Sequence, residues 1–269
     1  SYRTAPALFE ALGARVTALG VDPDGFNINR DCGSTYAHLL GPQVVEAGAD
    51  LGLAFDGDAD RLIAVDDRGQ IVDGDVMMAI LARDLDRRGQ LKQKTIVATV
   101  MSNFGLGKMA REAGYFLVRT PVGDRYVLEH MLDNDLALGG EQSGHVILLD
   151  DTTTGDGQLT ALRLLRALRS SGRPLSEERQ IIELFPQVLE SVRVKETNKN
   201  RIMENPDFLQ AIEEVEQELA SEGGVLVRKS GTEPVIRIMI EGSDLEKIRG
   251  LAGRLAGRVK SLDASLGQG

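Results

Sequence analysis

What this chain is short of narrows its roles before any motif is read. Cys32 is its only cysteine, so no intrachain disulfide can form, and a packed thiol in a reducing, cytoplasmic setting is the expectation. Tryptophan is absent and aromatics make up 4% of the 269 residues. The cores must therefore be mainly aliphatic, for which a hydrophobic fraction of 42% is ample. Positive charge is also scarce: 31 Lys and Arg stand against 41 Asp and Glu, a net charge of −10. That balance excludes nucleic acid as a general partner, because phosphate backbones are held by diffuse basic surfaces. An anionic ligand would need a local basic cluster. No stretch approaches the ~18 apolar residues of a membrane span, and no secretory pattern opens the chain. It begins Ser1-Tyr2-Arg3, without methionine, and enters a helical pattern at once; it reads as part of a longer protein.

Against this background, Phe55-Asp56-Gly57-Asp58-Ala59-Asp60-Arg61 stands out. Three carboxylates at alternate positions follow the apolar run Leu51 to Phe55, and alternate side chains of extended backbone share one direction. Asp56, Asp58 and Asp60 can then converge, and converged carboxylates repel unless a cation lies among them. An all-oxygen set favours a hard ion such as Mg²⁺. A solvated acidic turn is the bland alternative. An EF-hand would want Gly at loop position 6 and Glu at position 12, where this chain has Arg61 and Asp67.

Elsewhere, helical and strand-like segments alternate. Helical Pro6 to Gly13 leads to an apolar run at Val16 to Val21 and helical Tyr36 to Ala47, then to strands on either side of the aspartate loop. The pattern continues through a helix at Asp75 to Arg88, a strand at Thr95 to Val100, and further pairs up to a helix at Gln158 to Arg169. After Phe185-Pro186 a smaller module follows, with strands at Val188 to Lys195, Val225 to Arg228 and Val235 to Glu241 and helices at Asp207 to Ala220 and Leu245 to Leu262. The expected class is α/β: two mixed-sheet α/β domains, the first incomplete, then a smaller α+β domain. Their expected bounds are 1–66, 67–184 and 185–269.

Two further loops carry chemistry. Arg228-Lys229-Ser230-Gly231-Thr232-Glu233-Pro234, with Arg237 just beyond, joins small residues to forked cationic donors. Exposed main-chain N–H groups, the hydroxyls of Ser230 and Thr232, and two guanidinium groups match phosphate oxygens. No GxxxxGK[ST] motif is present, so a nucleotide triphosphate is not implied. The second loop, Gly139-Gly140-Glu141-Gln142-Ser143-Gly144-His145, offers Glu141 and Ser143 at alternate positions for vicinal hydroxyls. His145 could donate to a phosphate or shuttle a proton; a hairpin with a structural histidine is an equal alternative.

In this order, the three loops resemble those of the α-D-phosphohexomutase superfamily. The aspartate loop is similar to its DGDGDR, the second to its GE-x-SGH, and Arg228 to Arg237 to its R-x-SGTEP-x-x-R. Asn27-Ile28-Asn29, Cys32-Gly33-Ser34-Thr35, Val122-Gly123-Asp124-Arg125-Tyr126-Val127 and Thr153-Thr154-Gly155-Asp156-Gly157 resemble the glucosamine branch. The resemblance spans essentially the whole chain. It implies four domains in the intact protein, of which residues up to about Asp66 correspond to most of the second, about Asp67 to Leu184 to the third, and the remainder to the fourth.

It further implies interconversion of glucosamine 6-phosphate and glucosamine 1-phosphate by way of a phosphoserine and a bisphosphate. Mg²⁺ would sit on Asp56, Asp58 and Asp60, with Arg61 and His145 as catalytic groups. Glu141 and Ser143 would grip the sugar; Arg228, Ser230, Gly231, Thr232 and Arg237 would hold the phosphate that is not reacting. A hexosamine phosphate is the implied small-molecule partner, and a homodimer of the intact protein is the implied assembly. The family's phosphoserine lies in an A-S-H-N-P type segment of the first domain, and no Ser-His pair occurs in this chain; the chain alone is expected to be inactive. Phosphomannomutase or phosphoglucomutase chemistry, a metal-dependent phosphatase and a non-catalytic sugar-phosphate-binding module are the alternatives. Ala59 departs from the family's glycine, which is harmless only if its φ is negative. Asp124 is expected to cap the helix that begins there.

Overall fold

The structure is a computed structural model that describes residues 1–220 and 222–266. Its contacts divide into two compact units, one of Ser1–Ser102 with Leu106–Glu183, the other of Asn103–Gly105 with the chain from Leu184 onward.

The first unit runs α1 (Thr4–Ala11), α2 (Leu40–Ala47), β1 (Leu51–Phe55), β2 (Leu62–Asp66), β3 (Ile71–Val72), α3 (Gly74–Arg87), β4 (Thr95–Thr99), α4 (Phe104–Ala113), β5 (Phe116–Thr120), α5 (Asp124–Asp133), β6 (Leu138–Gly140), β7 (Val146–Leu148), α6 (Gly157–Ser171) and α7 (Leu175–Glu178). β1, β2 and β3 form an antiparallel sheet, in register Phe55 opposite Leu62, so that the aspartate loop is the turn of a hairpin. A four-stranded sheet of order β5-β4-β6-β7 is mixed, parallel except for the β6–β7 pair. These are helices on sheets, the α/β class. The bound expected at Asp66–Asp67 falls between two paired strands, β2 and β3, so contacts run across it.

Helix α3 is the centre of this unit. The Asp73 carboxylate accepts the Val76 N–H as its N-cap, which satisfies one of the helix's orphan donors. From Gly74 to Ala82 every residue is buried, the signature of a helix covered on all sides. It packs on β6, α6 and β3, and Met77, Met78, Ile80 and Leu81 join Leu62, Ile96, Leu138 and Leu164 in one aliphatic core.

In two places this unit departs from the sequence pattern. The run Val16 to Val21 forms no strand; Val16 packs on the core, but the backbone there has no partner strand among the described residues. Tyr36 to Ala47 divides into a 3₁₀ turn at Ser34–Leu39 and α2. The break puts Pro42 in the first turn of α2, where its missing N–H is tolerated.

The second unit is β8 (Gln187–Arg193), α8 (Lys199–Met203), α9 (Pro206–Leu219), β9 (Gly223–Lys229), β10 (Val235–Gly242) and α10 (Leu245–Leu266). Its sheet is antiparallel with β10 in the middle. Asn205 caps α9, with Pro206 in the first turn, as the helix-start preference requires. Ile236, Ile238 and Ile240 alternate toward a core shared with α9 and α10, leaving Val235, Arg237 and Met239 on the opposite face.

Candidate active site

The β1–β2 hairpin brings the three aspartates together: one carboxylate oxygen from each of Asp56, Asp58 and Asp60 lies within 4.8 Å of the others. Asp56 Oδ1 accepts the Arg61 N–H at 3.1 Å, while Asp60 Oδ1 is buried and has no hydrogen-bond partner among the described residues. Arg61 Nε stands 3.8 Å from Asp56 and 3.9 Å from Asp60. Burial, reinforced by Asp60 and Asp58, pushes the Asp56 carboxyl up to about 6. Burial acts upward on Asp60 too, but its contacts with Asp56, His145 and Arg61 outweigh it and leave its carboxyl below the usual range. Crowded carboxylates with an unfilled oxygen are the condition that a hard divalent cation relieves; the residues present fit such an ion.

Ala59 occupies a left-handed conformation with φ 62°, so the departure from glycine is not harmless. Its carbonyl accepts the Gly157 N–H at 2.9 Å and its N–H donates to Asp56 O, which fixes the strained turn. An L-residue in this region costs about 1–2 kcal/mol. Ala59→Gly is therefore expected to raise the stability of the metal-free chain by about 1 kcal/mol, readable as a higher denaturant midpoint with unchanged slope.

The sugar-loop candidates lie against this hairpin, in the same unit. Leu62 N–H donates to the Gly144 carbonyl, and Arg61 bridges His145 in antiparallel fashion. His145 is 3% exposed. One ring nitrogen, Nδ1, is 2.9 Å from Asp60 Oδ2, and the other, Nε2, accepts the Gly155 N–H at 3.1 Å. Because Nε2 accepts, the proton belongs on Nδ1, which donates to Asp60. Both ring nitrogens are thus engaged, one with an aspartate of the β1–β2 turn and the other with the Gly155 N–H. Glu141 is poised: Oε1 accepts the Gly123 N–H and Oε2 the Ser143 hydroxyl, both at 3.1 Å. Asp124 is the first helical residue of α5 and makes no cap; Gly123, at φ 131°, takes the cap position, and its N–H is spent on Glu141.

Sequence reasoning assigned no role to the glycines behind these loops. A Cβ on Gly155 would meet the His145 ring at 2.5 Å, and one on Gly157 would meet the Arg61 carbonyl at 2.7 Å. Their spacing within Thr153 to Gly157 was the available signal.

In the second unit, the phosphate-loop candidates sit at the β9–β10 turn. Arg228 and Arg237 are directly opposed in the ladder, an arrangement of like charges that is unfavourable without an anion. Burial, then the Arg237 charge, holds the Arg228 guanidinium below its usual range. Arg237 pairs with Glu233 at 2.6 Å. Gly231 and Thr232 are exposed. Ser230 is not: it is buried, and its Oγ accepts the Thr232 and Glu233 N–H groups, so it shapes the turn from within.

Residues 73–185 match "Phosphoglucomutase/phosphomannomutase, alpha/beta/alpha domain III" and residues 191–258 match "Phosphoglucomutase/phosphomannomutase, C-terminal domain". A phosphoglucosamine mutase of Acetivibrio thermocellus is 52% identical over 267 residues, covering 99% of this chain and 59% of the relative. One from a Thermoanaerobacter species is 53% identical, covering 95% and 57%. The chain thus spans a little under three fifths of the relatives it matches. A phosphoglucomutase/phosphomannomutase family protein of Burkholderia thailandensis shares the fold with a TM-score of 0.75 at 23% identity, over 96% of this chain and 57% of that one. An N-acetylphosphoglucosamine mutase of Aspergillus fumigatus, solved in complex with GlcNAc-6P and magnesium, shares it at 0.69 and 19% identity, over 96% and 60%. With both units matched, the chain belongs to the phosphoglucomutase/phosphomannomutase family, the α-D-phosphohexomutases.

Proposed function

We propose that this chain is the metal-, sugar- and phosphate-binding part of a phosphoglucosamine mutase, whose intact form interconverts glucosamine 6-phosphate and glucosamine 1-phosphate through a phosphoserine. The observation that carries this reading is the lacing of the aspartate hairpin to the Glu141–Ser143 loop through Asp60–His145 and Leu62–Gly144. That lacing sets the aspartate turn against the Gly139–His145 loop, which supports reading the two as one ion- and hydroxyl-binding site. Relatives at about half identity are phosphoglucosamine mutases, and the Aspergillus enzyme's magnesium supports Mg²⁺ here.

In this reading residues 1–66 are most of the family's second module. Asp56, Asp58 and Asp60 would hold Mg²⁺, which when bound supplies positive charge to the oxygens of a moving phosphoryl group. Arg61, its side chain partly exposed beside the trio, adds a donor. Glu141, already oriented by Gly123 and Ser143, accepts hydrogen bonds from sugar hydroxyls, and Ser143 contributes the second contact. Arg228 and Arg237, with the Gly231 N–H and Thr232, hold the other phosphate. The phosphatase alternative needs Asp56 as a nucleophile; an Asp56 crowded by two carboxylates and bonded to the Arg61 N–H is better placed as a ligand. Phosphomannomutase or phosphoglucomutase specificity is the second reading, favoured only by the family description. A cytoplasmic location and a dimer of the intact protein belong to the same proposal. Among the described residues, no helix is long and apolar enough to cross a membrane.

Since no serine in this chain stands directly before a histidine, the chain by itself is expected to bind glucosamine 6-phosphate without converting it. Conversion by the purified chain would overturn this account, and restoring turnover with a phosphoserine-bearing domain would support it. Arg237→Lys, which replaces a fork by a point charge, is expected to weaken hexosamine phosphate binding about 10- to 100-fold, with Mg²⁺ uptake unchanged in calorimetry.

A further inference from the structure

The phosphate loop rests on a residue that its motif does not contain. Lys199, at the start of α8, is 6% exposed. Its Nζ donates to the Ser230 carbonyl at 2.7 Å, to the Glu233 carbonyl at 3.1 Å and to the Glu196 carboxylate at 3.0 Å. Those two carbonyls bracket the tip of the β9–β10 turn. In a trans peptide the carbonyl of one residue and the N–H of the next point in opposite directions. Drawing the Ser230 carbonyl toward Lys199 therefore turns the Gly231 N–H away from it, and that N–H has no acceptor among the described residues. Burying an ammonium is costly unless it is well bonded, and three acceptors in one place supply the bonds.

We propose that Lys199 is a positioning residue for phosphate recognition: it pins the Ser230 and Glu233 carbonyls on one side of the loop and so presents the Gly231 N–H to an anion held by Arg228 and Arg237. This rests on the reading of that loop as a phosphate site. Lys199 itself does not reach the anion. It fixes the direction of the donor that does, and it sets a positive charge behind a turn where two like-charged arginines already face each other.

The test is a titration of the full chain with inorganic phosphate, followed by amide NMR at Gly231 and by the ammonium signal of Lys199. Lys199→Met is expected to weaken phosphate binding about tenfold, the range for a group that orients a direct ligand, with Mg²⁺ uptake at the aspartates unaltered. Because the signals come from folded molecules only, mere loss of stability would leave the measured affinity in place. Wild-type affinity in Lys199→Met, alongside binding lost in Arg237→Ala, would sink the role of the lysine and leave the phosphate site standing. No binding by the wild-type chain would remove the site and this role together. Should Lys199→Met fail to fold, the wild-type ammonium signal decides: movement in step with Gly231 as phosphate is added supports the proposal, and a stationary signal overturns it.

Discussion

Asp60→Ala is expected to cost the chain its Mg²⁺ binding, by about 100-fold or more, and its metal-free stability as well. The two losses have separate causes. The first is removal of one of three converging oxygens. The second is the His145 Nδ1–H, which would be left in a buried site without its acceptor, at a cost of about 1–3 kcal/mol. Asp58→Ala separates them. Asp58 is exposed and the described hydrogen bonds give it no part in the scaffold, so its loss should weaken Mg²⁺ comparably while leaving the metal-free chain as stable as before, or more so as repulsion is relieved. Calorimetric titration with Mg²⁺ and denaturation in chelator read the two effects. Equal metal-free stability in both variants would show that the Asp60–His145 bond contributes nothing.

A larger structural effect is expected from Gly74→Ala. Position 74 opens α3, where alanine should be favourable by about 1 kcal/mol. Yet a Cβ there would fall 1.9 Å from the Glu141 carbonyl, and the Gly74 N–H already donates to the Gln142 carbonyl at 3.0 Å. Helix and loop must part. The expected net destabilisation is about 3 kcal/mol, or a fall in Tm of roughly 6–12 °C for a unit of this size, with weakened sugar-phosphate binding. Gly107→Ala is the control: its nearest neighbour would be 3.6 Å away, inside a helix, and the substitution should stabilise by up to about 1 kcal/mol. A Gly74→Ala chain that melts with wild type would mean the loop is free to move aside.

The aspartate trio was legible because alternation along a hairpin is a local property, and so were the long helices and strands, whose periodicity is local too. β7 escaped notice because three residues, Val146 to Leu148, carry too little pattern to separate from the loop before them. Lys199 sits in a run of polar residues that reads as a solvated surface; only tertiary contact shows its ammonium buried beneath a turn thirty residues on. His145 illustrates the same limit. A histidine in a glycine-rich loop suggests proton transfer, but which partners occupy its nitrogens depends on Asp60, far away in sequence, and on the fold of the segment that carries Gly155. The strain at Ala59 was posed by the sequence as a question that only a dihedral angle could answer.

The bond between His145 and Asp60 has a consequence in equilibrium terms. If, as proposed, the Gly139–His145 loop takes the sugar and Asp60 takes the ion, the two ligands share the His145–Asp60 bond, and any effect of one on the other's affinity is returned by an equal factor. Whatever tightening Mg²⁺ confers on the hexosamine, the hexosamine returns to Mg²⁺.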